Sequence, residues 1–186
     1  MKVIFLDIDG VLNCRYTKEE IYSFTFVAPK KIELLKQLME HTGAEVVLSS
    51  SWRHGWADLD AGIKDSMDVK LFTALKDELE KYNIHFIDYT PITNGVRGMR
   101  GEEVDMWLKS WKGEEIESFV ILDDLNGVFL RPYASRLVQT SMSKGLQDYH
   151  IEKATVLLNK PCRKEKKMVS KRLDGENFSM YCTKDR

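Results

Sequence analysis

A chain of 186 residues with 43% hydrophobic and 31% charged side chains has the make-up of an ordinary globular protein, with enough material for one domain and a sizeable core. No apolar run approaches membrane-spanning length, and Asp7 and Asp9 interrupt the N-terminal apolar stretch where a secretory signal would have to continue, so no membrane partner is expected. Three cysteines, Cys14, Cys162 and Cys182, are odd in number and form no CxxC pair; that argues against a disulfide framework or a zinc site and for a reducing, cytoplasmic compartment. The net charge of −1 hides an asymmetry, because residues 160–186 hold nine Lys or Arg against four acids.

In chain order, residues 3–6 are wholly apolar, as in a strand buried on both faces of a parallel sheet, and run into Asp7-Ile8-Asp9-Gly10-Val11-Leu12. Residues 13–28 carry Tyr16, Tyr22, Phe24 and Phe26, enough for a flap but not for a sealed lid. Pro29 opens a helix with Ile32, Leu34, Leu35, Leu38 and Met39 at helical spacing, and Gly43 stops it. A second buried strand over 46–48 ends in Ser49-Ser50-Ser51. The spacing of Val69, Leu71, Phe72, Leu75 and Leu79 predicts a helix over 68–82, followed by a short strand over 84–87. A loop over 91–101 holds Arg97 and Arg100, and residues 102–111 return to helix. Residues 119–122 form a fourth apolar strand ending in Asp123-Asp124, and Leu137-Val138 a fifth. Alternating strands and helices of this length imply a doubly wound parallel α/β sheet with right-handed crossovers. The pattern stops near residue 160, which predicts a domain over 1–160 and a basic, loosely ordered tail over 161–186.

The strand ends carry the chemistry. In a parallel sheet the carboxyl ends of the strands lie on one edge and face a common crevice, so Asp7 and Asp9, Ser49 and Ser50, and Asp123 and Asp124 meet there. A buried strand has no structural need for two acids at its tip, and unpaired carboxylates are costly unless a cation offsets them. Mg²⁺ prefers oxygen ligands and needs only one or two carboxylates beside a substrate phosphate. A carboxylate can also attack phosphorus, dividing hydrolysis into two easier steps, while hydroxyl, backbone N–H and cationic groups hold the phosphoryl oxygens.

The Asp7–Leu12 run resembles the first motif of the haloacid dehalogenase (HAD) superfamily of phosphohydrolases, Asp-x-Asp-Gly-(Val/Thr)-(Leu/Ile). Ser49 matches the serine or threonine of the second motif, with Ser50 close behind, and Asp123-Asp124 match the acidic pair of the fourth. The third-motif lysine is replaced: Arg97 and Arg100 stand in that region. The segments Leu48-Ser49-Ser50-Ser51-Trp52-Arg53, Arg100-Gly101-Glu102-Glu103-Val104 and Leu137-Val138-Gln139-Thr140 resemble one branch, the small, nearly capless HAD domain also found fused in multi-domain RNA-repair proteins. The likeness extends from residue 1 to about 148. It implies a HAD-like fold with a minimal cap and a Mg²⁺-dependent phosphatase acting through an aspartyl-phosphate. In that scheme Asp7 is the nucleophile and Asp9 the general acid/base. Asp7, Asp9 (through its backbone carbonyl), Asp123 and Asp124 hold the metal or its waters. Ser49, Ser50 and Arg100 bind the phosphate.

Other readings of the same residues stay open. Asp123 to Gly127 also has turn composition, and one of Ser49–Ser51 suits a helix cap. Trp52 reads as a packing residue, and Arg53 as either a surface ion-pair partner or a support for the site. His41, His54, His85 and His150 show no metal-ligand spacing. A carboxylate-cluster nuclease would let water attack instead of Asp7. A phosphate-binding or receiver-like signalling domain would use an acid at the third strand, where Asp88 lies. The open crevice and basic tail suit a phosphorylated nucleic-acid end as substrate, with a broad-specificity nucleotidase as the rival.

Overall fold

The computed structural model describes residues 1–93 and 100–162. Arg97 and the basic tail from residue 163 onward lie outside the described residues. Five strands, β1 (Lys2–Leu6), β4 (Ala44–Leu48), β5 (Phe86–Tyr89), β6 (Ser118–Asp123) and β7 (Leu137–Gln139), form one wholly parallel sheet in the order β5-β4-β1-β6-β7. β1 is therefore central. The chain leaves it toward β4 and β5, then returns to its other side for β6 and β7, which makes the end of β1 the topological switch point.

Alternation along the strands sends side chains to two faces. Ile4, Leu6, Val46, Leu48, Val120 and Leu122 join Ile32, Leu35 and Leu38 of α1 (Pro29–Thr42), Phe72, Leu75 and Leu79 of α3 (Met67–Glu80), and Ile151, Ala154 and Leu158 of α5 (Asp148–Leu158). On the opposite face Val3, Phe5, Val47, Phe119 and Ile121 meet Val104 and Trp107 of α4 (Arg100–Ser110). The doubly wound α/β domain expected from the sequence is the fold observed, with a five-stranded parallel sheet flanked by five helices among the described residues.

Local signals act as the sequence suggests. Pro29 stands in the first turn of α1, and Gly43, left-handed at φ +66°, closes it with its N–H on the Met39 carbonyl. Ser66 caps α3 by accepting from the Val69 N–H at 3.1 Å. Other elements depart from the reading or add to it. The third sheet strand begins at Phe86, because Ile84 closes α3 through its N–H on the Leu79 carbonyl and packs into the core instead. Helices α2 (Arg53–Asp60) and α5 are additional. The flap is a two-stranded hairpin, β2 (Glu20–Ile21) and β3 (Phe24–Thr25). Its two-residue turn holds Tyr22 and Ser23 at φ +51° and +67°, the left-handed pair that matches the twist of a tight hairpin.

Candidate active site

Four of the five strands are prolonged by one residue, and those residues, with Asp123 at the end of β6, build the crevice. Asp7 N–H donates to the Leu122 carbonyl at 2.9 Å, Ser49 N–H to the Leu6 carbonyl at 2.8 Å, Thr90 N–H to the Leu48 carbonyl at 3.0 Å, and Thr140 N–H to the Asp123 carbonyl at 2.9 Å. Asp7, Ser49, Thr90, Asp123 and Thr140 thus share one sheet edge. The Asp7 carboxylate accepts from the Ile8 N–H at 2.9 Å, and that of Asp123 from the Leu125 N–H at 2.9 Å. Gly10 has a specific task. It turns the chain at φ +72° so close to Asp124 that a Cβ there would stand 2.6 Å from Asp124 Oδ2. The Thr140 hydroxyl pins this turn by donating to the Gly10 carbonyl at 2.7 Å.

Asp7, Asp123 and Asp124 bring one carboxylate oxygen each within 4.8 Å of the others. Asp7 is 7% exposed and Asp123 fully buried. Burial pushes the Asp7 carboxyl up to about 7 against the pull of Arg100, and the neighbouring charge of Asp123 adds to the rise. Burial likewise raises Asp123, and burial followed by the charge of Asp9 raises Asp124. Arg100 stands in the first turn of α4 and reaches across this group. It lies 3.6 Å from Asp123 and 4.0 Å from Asp7, and donates to the Ser49 hydroxyl at 3.4 Å. Two buried oxygens, Asp123 Oδ2 and Ser50 Oγ, have no hydrogen-bond partner among the described residues. Clustered all-oxygen donors with an orphaned, buried carboxylate oxygen fit a hard divalent cation such as Mg²⁺.

Asp9 stands apart from the three-carboxylate cluster. Its Oδ1 accepts from Asn13 Nδ2 at 2.8 Å and its Oδ2 from the Trp52 indole N–H at 3.1 Å. Asn13 also accepts from the Gly10 N–H at 3.0 Å, so one side chain fixes both the acid and the turn. Trp52 does pack, against Phe26, yet its N–H also orients an acid. Arg53 is not a surface residue. It is buried, donates to the Ser50 carbonyl at 2.6 Å, and pairs with Glu103 at 2.6 Å. Glu103, one turn along α4, lies 4.0 Å from the Arg100 guanidinium and so ties Arg53 to Arg100. Asp88 accepts from the Trp107 indole N–H at 2.7 Å and from the Tyr89 N–H, so its carboxylate serves the packing of α4. Buried His150 takes the Gln147 N–H on its Nδ1 and caps α5. Of the sequence candidates, then, Asp7, Ser49, Arg100, Asp123 and Asp124 converge, Ser50 adjoins them, and Asp9 flanks them. Asn13, Glu103, Thr90 and Thr140 are the additions. Glu103 and Thr140 lie in the segments that carry the family resemblance, and Asn13 has a signal in its place four residues after an acid on a tight turn.

This fold and crevice define a class: parallel α/β domains that gather carboxylates at the switch point of the sheet. A family model described as the HAD domain in Swiss Army Knife RNA repair proteins matches residues 3–151, and the chain belongs to that family. Membership places it among HAD-type phosphatases or hydrolases. Comparison with curated proteins and with solved structures gave no match.

Proposed function

We propose that the protein is a Mg²⁺-dependent phosphomonoesterase that works through an aspartyl-phosphate on Asp7. The observation that carries this reading is the Asp7–Asp123–Asp124 cluster with Arg100 lying over it. Asp7 attacks phosphorus, forming the new P–O bond as the bond to the leaving oxygen breaks. Asp9, held by Asn13 and Trp52, gives a proton to that oxygen, then takes one from the water that cleaves the phosphoaspartate. Arg100, with the Ser49 and Ser50 hydroxyls, holds the phosphoryl oxygens. Asp7, Asp123 and Asp124, with the Asp9 backbone carbonyl and metal-bound waters, would hold Mg²⁺, which offsets charge on the transferring group.

The substrate class we infer is a nucleotide or a phosphorylated nucleic-acid end, in line with the RNA repair proteins that carry domains of this family. A reducing compartment such as the cytoplasm suits Cys14 and Cys162, which are free thiols. No helix among the described residues is long and apolar enough to cross a membrane. A receiver-like reading loses support from Asp88, whose carboxylate is engaged by Trp107. The nuclease reading uses the same acids with water as nucleophile, and one experiment separates the two. Purified protein is assayed for phosphate release from an aryl phosphate with Mg²⁺, with EDTA, and as Asp7→Asn. Turnover is expected only with Mg²⁺, with a loss of roughly a thousandfold or more in the variant. A beryllofluoride adduct should form on Asp7 of the wild type. Activity that survives EDTA refutes the metal role, and activity that survives Asp7→Asn refutes the nucleophile.

A further inference from the structure

A cavity of about 400 Å³ opens beside Asp9, between the flap hairpin and the starts of α2 and α3, and is lined by none of the three clustered carboxylates. That volume lies within the roughly 300–1,000 Å³ typical of small-molecule sites. Its walls are chemically uneven. Trp52, Phe24 and Leu71 supply two aromatic rings and an aliphatic side chain, His54 a further ring, and Asp9 and Asp68 two carboxylates. Among the described residues no Lys or Arg lines it. Trp52 is a fixed wall: Phe26 backs it at 6.3 Å between ring centroids, and its N–H is tied to Asp9. Phe24, on β3 of the hairpin, is 48% exposed, an apolar ring facing an unfilled space.

We propose that this cavity is the leaving-group subsite, and that it takes an uncharged, planar aromatic group such as the base of a nucleoside. The inference rests on the phosphomonoesterase reading and narrows its substrate. A phosphate attacked at Asp7 sends its leaving oxygen toward Asp9, and the body of the leaving group then lies over Trp52 and against Phe24. Aromatic faces accept any flat ring, since stacking needs no matched hydrogen bonds. The same walls reject a second anion, because the Asp68 carboxylate repels it and no cation among the lining residues offsets it. The subsite therefore favours a mononucleotide over the phosphorylated end of a nucleic acid, whose backbone would bring further phosphates alongside.

Three esters test this, each cleaved at the same 5′ oxygen of ribose: adenosine 5′-monophosphate, ribose 5-phosphate and adenosine 3′,5′-bisphosphate. Equilibrium dialysis of adenosine supplies a readout that needs no turnover. The base should raise kcat/KM about tenfold over ribose 5-phosphate, in keeping with the cost of removing an aromatic stacking partner. The second phosphate should cancel most of that gain. Phe24→Ala should bring the ratio of the first two esters toward one and weaken adenosine binding in parallel. Equal kcat/KM for all three, with no adenosine binding, overturns the subsite while the phosphatase reading stands. A bisphosphate cleaved as well as the monophosphate overturns the exclusion of anions. If no ester is cleaved but adenosine binds and Phe24→Ala abolishes it, the cavity is a site for an aromatic base, and its role as leaving-group subsite is overturned together with the phosphatase reading.

Discussion

Arg100 occupies the place where the family pattern has a lysine, and its surroundings show how an arginine can serve there. Its guanidinium lies 3.4 Å from the Ser49 hydroxyl, 3.6 Å from Asp123 and 4.0 Å from both Asp7 and Glu103. None of the carboxylate distances is a hydrogen bond, so the planar fork faces the acids without being locked to any of them and can close on a phosphate in two-pronged fashion. Arg100→Ala should lower kcat/KM by about 3 kcal/mol of transition-state stabilisation, and Arg100→Lys by much less, because a lysine keeps the charge but not the fork. Steady-state kinetics of the two variants check this, and equal losses would mean that the fork, not the charge, is what matters. The acids and Ser49 are legible in the sequence because they stand at the ends of apolar runs, while Arg100 is legible only through the resemblance to the RNA-repair branch. Asn13 and Trp52 were harder to see. An asparagine after a glycine turn reads as turn chemistry, and a tryptophan reads as core. Only the fold shows that both side chains converge on the two oxygens of Asp9.

At the level of elements, α4 is the device that aims Arg100. The spacing of Val104, Trp107 and Leu108 predicts the helix, but it begins at Arg100, two residues before the sequence reading had it, which puts the arginine inside its first turn. Gly101 allows this. A Cβ at that position would stand 2.1 Å from the Arg131 carbonyl oxygen, so the start of the helix lies directly on the backbone after β6. The atoms it would meet, of Leu130 and Arg131, are main chain and cannot swing aside. Gly101→Ala should therefore displace the first turn, costing about 1–3 kcal/mol of stability as an overpacked contact does. Because a 1 Å misplacement near reacting groups can cost about a hundredfold, activity should fall further than stability does. Urea unfolding beside kinetics checks the two effects, and Met106→Ala, exposed on the same helix, should change neither. The same kind of close contact explains why α2 was invisible to periodicity. Gly55 sits in its first turn, where a Cβ would come 2.0 Å from the Asp68 carbonyl, so a residue that lowers helix propensity is what lets α2 lie on α3. For α5 the buried positions Ile151, Ala154 and Leu158 keep helical spacing, but exposed Val156 and half-buried Leu157 beside them blur the period. The surfaces of α1 and β6 supply the rest of its burial.

For the molecule as a whole, the sheet gathers three acids at one edge, with Arg100 as the cation facing them among the described residues and Arg53 already paired to Glu103. Folding must therefore hold charge that the unfolded chain would disperse, and the consequence depends on pH. The Asp7 carboxyl rises from an ordinary 3.8 to about 7 on folding, and Asp123 and Asp124 move in the same direction. Between those two pH values the folded chain binds a proton that the unfolded chain has released, so stability falls as pH rises through this window. His150, lowered by burial, acts with the opposite sign: its contribution is full above about 6.5 and declines as pH drops below that. The two are separated by comparing wild type with Asp7→Asn, since both keep His150. In EDTA, the melting temperature of Asp7→Asn should sit close to that of the wild type at pH 4. It should climb above it by several degrees at pH 7.5, at about 2–4 °C per kcal/mol for a domain of this size. Adding Mg²⁺ at pH 7.5 should raise the wild type and close the gap, because a ligand that binds only the folded state stabilises it by mass action. Thermal melts of both proteins across pH, with chelator and with Mg²⁺, make the comparison. A gap that stays constant from pH 4 to 7.5 would mean that Asp7 carries no such burden, and a wild type unmoved by Mg²⁺ would mean that the acidic edge is balanced without a cation.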